Sequence, residues 1–172
     1  MAIDATVGGT SANAYLTVVE ATAYFGDRLH NAEWTDATAA DQDSSIIWAT
    51  SILDLVMDWN GSINTQTQAL RWPRAGTWDK DERLYSETAI PQIVKNATAE
   101  LALALIRRER TAEPEILGLG MNKMKADVID ITVDRKEMIG LVPGHVVVML
   151  AQVGVVETDT GRHGRAVRLV RT

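Results

Sequence analysis

The chain has 172 residues, 46% hydrophobic and 23% charged, enough for one domain with a real core. It holds no cysteine, which excludes disulfides, thiolate nucleophiles and cysteine-based zinc or iron–sulfur centres. The formal charge of −6 hides an asymmetry: residues 161–172 hold four arginines and no acid, leaving 13 basic and 23 acidic residues, or −10, in 1–160.

The opening MAIDATVGG has neither a cationic start nor an apolar core region, which predicts synthesis in a cytoplasm without an export signal. No apolar run approaches the roughly 20 residues of a membrane span. Residues 1–16 read as extended, with a break at Gly8-Gly9. Thr17 with Glu20 forms a capping-box pattern. It predicts a helix over about 17–29 with the stripe Val18, Ala21/Thr22, Phe25 and Leu29. Trp34 falls in the following loop.

Thr35 or Thr38 caps a second predicted helix, about 36–59, with Asp36, Asp41 and Asp43 at its positive start. It carries two apolar stripes. Ile46, Ala49, Leu53 and Val56/Met57 form one; Trp48, Ile52, Leu55 and Trp59 form the other. Ser51, Asp54 and Asp58 make a polar line between them, read as a solvated face. A helix apolar on two faces is either central in its domain or shared with a neighbouring subunit. Asn60-Gly61 supplies its stop.

Residues 60–89 read as a long loop with little periodicity, and such a loop usually has a function or docks on a partner. Trp72 precedes Pro73 and is therefore extended. Ser86 or Thr88 caps a third helix, about 90–110, with Pro91 near its first position and the stripe Ile90, Val94, Ala97, Leu101 and Leu105. Arg107, Arg108 and Arg110 crowd its C-terminal turn, where cations suit the helix dipole. Pro114 and Gly118-Leu-Gly120 end that region. A period-two pattern from about 125 to 138 predicts a strand or β-ribbon element, whether hairpin, lone strand or arm. Pro143 opens a short helix, about 143–152, and after Gly154 the chain becomes a tail. The fold class is mainly α: a helical bundle of residues 1–160 with a small β element and an extended tail, 161–172.

Chemical motifs are scarce. His30, His145 and His163 lack ligand spacing, Gly8-Gly9-Thr10-Ser11 lacks the lysine of a phosphate loop, and pairs such as Asp54/Asp58 arise easily among 23 acids. No catalytic residue, cofactor site or metal site is predicted. The five tryptophans could stack on bases, but stacking platforms need a cationic groove, and a body at −10 opposes DNA phosphates. The simpler reading puts Trp48 and Trp59 in the helix core and makes Trp72 the anchor of the long loop. In the tail, Arg162, Arg165, Arg168 and Arg171 recur every third residue, with Val167, Leu169 and Val170 between them. Interleaved apolar residues favour a docking peptide over a purely solvated end.

SANAYLTVVEATAYF (11–25), SSIIWATSILDL (44–55), QALRWPRAG (68–76), AIPQIVKNATAELAL (89–103) and the ending GRAVRLVRT resemble a family of tailed-phage proteins labelled DnaT-like single-stranded-DNA-binding. Its members look like head–tail connector adaptors. The resemblance covers most of 10–105, and its WPR element is the most specific match. It implies a virion component made in the host bacterial cytoplasm: a ring of twelve copies under the portal protein, meeting a neck or tail-completion protein at its other rim. It implies that the tail docks on the portal and that genomic DNA passes through the ring without sequence-specific binding. The residues suit a ring. The doubly apolar second helix can press on a neighbour, Trp72, Pro73 and Trp78 can clasp a subunit, and an acidic wall would let DNA slide. The alternative is a single-stranded-DNA-binding replication accessory; a small hydrolase with scattered carboxylates is a distant third.

Overall fold

The computed structural model describes residues 2–110, 123–126, 129–132 and 140–156; for 123–132 only backbone pairing is described. Five helices and three two-stranded sheets make up these residues, so the protein is mainly helical with small β elements. None of the described helices is long and apolar enough to cross a membrane.

The N-terminal segment is a strap. Asp4 and Asn13 bond across it, the Asp4 N–H donating to Asn13 Oδ1 at 2.8 Å and the Asn13 N–H to Asp4 O at 2.8 Å. This lays Ala14, Tyr15 and Leu16 into the core. Helix α1 (Val18–Gly26) opens on the expected capping box, Thr17 with Glu20. It ends three residues earlier than the stripe predicts, so Leu29 is exposed while Ala21 and Phe25 are buried.

The predicted second helix is divided. Trp34, predicted in a loop, lies instead in a short helix, α2 (Ala32–Asp36), where it is fully buried. It packs on Phe25 at 5.0 Å between ring centroids, and its indole N–H donates to Thr22 Oγ1 at 3.1 Å. Ala37 is extended and breaks the helix. Thr38 then caps α3 (Ala39–Val56) by accepting from the Asp41 N–H. Met57–Trp59 continues as strand β1, not helix, so the helical stop precedes Asn60-Gly61.

The predicted loop 60–89 contains a short ribbon, β2 (Ser62–Ile63) with β3 (Arg74–Ala75). Pro91 is the N-cap of α4 (Gln92–Arg107) rather than lying inside it. The hydroxyls of Ser86 and Thr88 bond each other instead of capping the helix. Strands β4 (Lys123–Ala126) and β5 (Ile129–Thr132) form an antiparallel hairpin, Ala126 opposite Ile129, which settles the form of the predicted β element where it is described. Helix α5 (Gly144–Leu150) is shorter than predicted. The chain after it is not immediately a tail: β6 (Gly154–Val156) pairs antiparallel with β1, Trp59 opposite Gly154. Only glycine fits there, because a Cβ on Gly154 would lie 2.7 Å from Asp58 O.

Helix α4 is the centre of the bundle and touches α1, α2, α3 and α5. Residues 97–103 are buried all round, which needs the small side chains of Ala97, Ala99 and Ala102 among the leucines. The central role that sequence allowed the second helix thus belongs to α4. In α3, Ile46, Ala49, Ile52 and Leu53 are buried, while Trp48 is 50% and Leu55 77% exposed.

Candidate assembly surface

Three interior polar nodes fix the parts that reach the surface. The first holds the WPR element. Asp54 is not on a solvated face: it accepts from the Tyr15 hydroxyl and from the Arg71 N–H at 3.1 Å. Burial raises its carboxyl pKa, with Tyr15 and the Arg71 N–H pulling the other way. Burial, with the Asp54 charge second, pushes the Tyr15 phenol well up. The indole N–H groups of Trp59 and Trp72 are buried there without hydrogen-bond partners among the described residues, the former close enough to Asp54 to favour its charged form.

The second node is Arg74. Its guanidinium donates to Asn60 O at 2.7 Å, Gly61 O at 2.8 Å, and Trp59 O and Arg71 O at 3.3 Å. One planar fork thus ties both ends of the 60–74 loop to the end of β1. Gln68, also buried, donates to Leu70 O and Pro73 O inside the same loop. These bonds carry no sequence period, which explains why the segment reads as structureless.

The third node is Glu100, 5% exposed on α4. It accepts from the Tyr24 hydroxyl at 2.9 Å, pairs with Arg28 Nε at 2.6 Å, and lies 3.2 Å from His145 Nε2. Burial, with the neighbouring carboxylate second, pushes the Tyr24 phenol up to about 12. This cluster knits α1, α4 and α5 together. Its acid is engaged by three side chains from separate parts of the fold.

Trp59 and Trp72 are buried against each other, edge to face at 5.8 Å, and Pro73 is buried beside them. All three are buried within the chain itself.

Among the exposed apolar side chains of the described residues, the two tryptophans mark two surfaces. The first is a knob. Trp78 and Leu84 face each other as an antiparallel bridge, 55% and 51% exposed. The flanking bonds, Tyr85 N–H to Thr77 O and Asp79 N–H to Arg83 O, make theirs the non-hydrogen-bonded pair, in which side chains sit closest. The tip is held by Asp79, whose carboxylate accepts from the N–H groups of Asp81 and Arg83 and pairs with Arg83 Nε, all at 2.8 Å. Those donors, the Arg83 N–H first, hold the Asp79 carboxyl below its usual pKa.

The second surface is an open groove of about 450 Å³ between the start of α3 and the end of α4. Trp48, Leu105 and Ile106 give it an apolar lining, and Asp41, Ser44 and Glu109 a polar one. Trp48 therefore belongs to a surface, not to the helix core where the simpler reading puts it.

Two of the three arginines at the end of α4 are committed to acceptors within the chain. Arg107 pairs with Glu33 and donates to His30 O, both at 2.9 Å. Arg110 donates to the carbonyls of Gly140 and Leu141. Among the described residues no group of three or more His, Asp or Glu side chains is placed to hold a metal. The tail residues Arg162, Arg165, Val167, Arg168, Leu169, Val170 and Arg171, His163, and Gly118 to Gly120 lie outside the described residues, as does the predicted strand beyond Thr132.

No curated protein and no solved structure shows a significant match to the chain. Its whole length, residues 1–172, matches the family described as "Putative DnaT-like ssDNA binding protein", and the chain belongs to that family.

Proposed function

We propose that the protein is a structural head-to-tail adaptor of a tailed bacteriophage, a ring under the portal that continues the DNA channel towards the neck. The observation that carries this reading is the pair of apolar surfaces: two half-exposed tryptophans, Trp48 and Trp78, in structured settings on an acidic helical body. Exposed aromatic anchors beside small apolar neighbours are the usual centres of protein contacts. The −10 of residues 1–160 suits a passage that DNA traverses without sticking. In this reading residues 161–172, with four arginines and Val167, Leu169 and Val170, dock on the portal protein, and the chain resides in the virion neck.

The experiment is electron microscopy of the purified protein mixed with its portal, with and without residues 161–172. Rings stacked on the portal, lost on truncation while the fold persists, are expected. Absence of portal binding by the full chain refutes the adaptor reading; unchanged docking by the truncated chain refutes the role of the tail.

The family description favours a second reading, a single-stranded-DNA-binding replication accessory. Against it stand the acidic charge and the commitment of Arg74, Arg107 and Arg110 to protein acceptors. Titration with short oligonucleotides decides. A binder contacting several phosphates loses affinity steeply with salt, whereas the adaptor reading expects no measurable binding at physiological salt.

A further inference from the structure

We infer that two copies of this chain pair head to tail, the Trp78–Leu84 knob of one copy seated in the Trp48 groove of the next. The inference rests on the ring-forming reading above and names the surfaces that would build the ring.

The two surfaces lie on segments tied to opposite ends of the bundle. The groove joins the start of α3 to the end of α4, so these helices run antiparallel. The loop bearing the knob leaves the end of α3 and returns to the start of α4. Its base is fastened at the end of α3, where Thr77 Oγ1 donates to Asn60 O and Arg74 grips residues 59–61. Asp41 and Val56 are separated by about 22 Å of helix rise. A second copy brings to each groove the knob whose base its own chain fastens at the far end.

The chemistry matches. The knob offers one indole and one isobutyl group, prearranged by the Asp79 turn. The groove is apolar where Trp48, Leu105 and Ile106 line it and is open to solvent. The charged side chains that line the groove, Asp41 from α3 and Glu109 from beyond α4, are both acidic. The knob loop exposes Lys80, two residues from Trp78, as the cation to meet them, while its Asp81 is already paired with Arg83.

A knob and a groove on different segments make a heterologous contact, which propagates into a closed ring or a filament rather than stopping at a dimer. The area is modest. A handful of side chains falls short of the roughly 1,000 Å² that a persistent isolated pair needs. The contact is therefore weak between two free copies and persistent once each copy uses both of its ends.

Sedimentation velocity of the full chain across a concentration series tests this. The wild type should assemble with rising concentration. A knob variant, Trp78→Ser with Leu84→Ser, and a groove variant, Trp48→Glu, should each stay monomeric at tenfold higher concentration, with unchanged far-ultraviolet circular dichroism. Mixed in equal amounts at that higher concentration, they retain one intact knob and one intact groove and should show weak, concentration-dependent heterodimers and nothing larger. Either variant assembling like wild type overturns the pairing, as do larger species in the mixture or a wild type that stays monomeric. Should a groove variant lose helicity, Ser44→Trp, which fills the groove from an exposed position, takes its place. Portal co-sedimentation scored in parallel keeps the outcomes apart: variants that assemble and bind portal refute this contact alone, whereas a wild type that does neither refutes the adaptor reading as well.

Discussion

Replacing Arg74 separates an internal role for the WPR element from an intersubunit one. The guanidinium makes two short bonds, to Asn60 O and Gly61 O, and two longer ones, to Trp59 O and Arg71 O. A hydrogen bond from a charged donor contributes about 1.5–3 kcal/mol net, and water can replace the more exposed members. Arg74→Ala should therefore cost about 3 kcal/mol. At ~2–4 °C per kcal/mol for a chain of this size, the melting temperature should fall by about 6–12 °C. Arg74→Lys keeps the charge but cannot span the carbonyls with a planar fork, so it should lose about half as much. Urea unfolding followed by tryptophan emission is the assay, because Trp59 and Trp72 are buried at this junction. Full stability in the lysine variant, or a loss under about 0.5 kcal/mol in the alanine variant, would refute the claim that this fork holds the loop.

Gly154→Ala should destabilise the fold by about 2 kcal/mol or more, since its Cβ would meet Asp58 O at 2.7 Å in the β1–β6 pair; a melting temperature equal to wild type contradicts that register. Asp54 titrates above its usual value in the folded state because it is partly buried. The folded protein therefore takes up that proton before the unfolded chain does, and this group contributes added stability as pH falls through its folded pKa towards its unfolded one. Asp54→Asn should lose this contribution, so the stability gap between wild type and variant should widen on acidification; a constant gap counts against it. Asn also sets an N–H₂ donor against the Tyr15 and Arg71 donors, so the variant should be less stable at neutral pH by about 1–3 kcal/mol. Acrylamide should quench the emission of Trp48 and Trp78 and spare that of Trp34, Trp59 and Trp72, as single Trp→Phe variants will show; a loss of quenching in Trp72→Phe would place that residue at the surface instead.

Local signals were legible where one residue acts on its near neighbours. The Thr17–Glu20 box, the Thr38 cap and the stripe Val94, Ala97 and Leu101 all appear as read. Neither the short helix α2, where the sequence predicts a loop around Trp34, nor the division of the predicted helix 36–59 into α3 and β1 was legible. The same apolar spacing serves a continuous helix equally well, and the break depends on Trp34 packing on Phe25 and on β6 pairing with β1. Asp54 looked solvated because helical period places it beside Asp58; only the N-terminal strap, with Tyr15, takes it out of water. Trp72, read as the anchor of its loop, is buried. Trp48 and Trp59 share one predicted stripe, yet Trp48 borders an open groove and Trp59 is buried.

By itself, the sequence determined the composition-level properties: no cysteine chemistry, an acidic body with a basic end, a mainly helical fold and the principal capped helices. These follow from charge counts and from contacts within a turn or two of helix, which sequence spacing encodes directly. Tertiary structure alone decided which helix is central, which tryptophans are buried, and that Arg74 spends its charge on backbone carbonyls. Those outcomes depend on residues brought together from separate parts of the chain, and no local period records which of several apolar faces finds a partner.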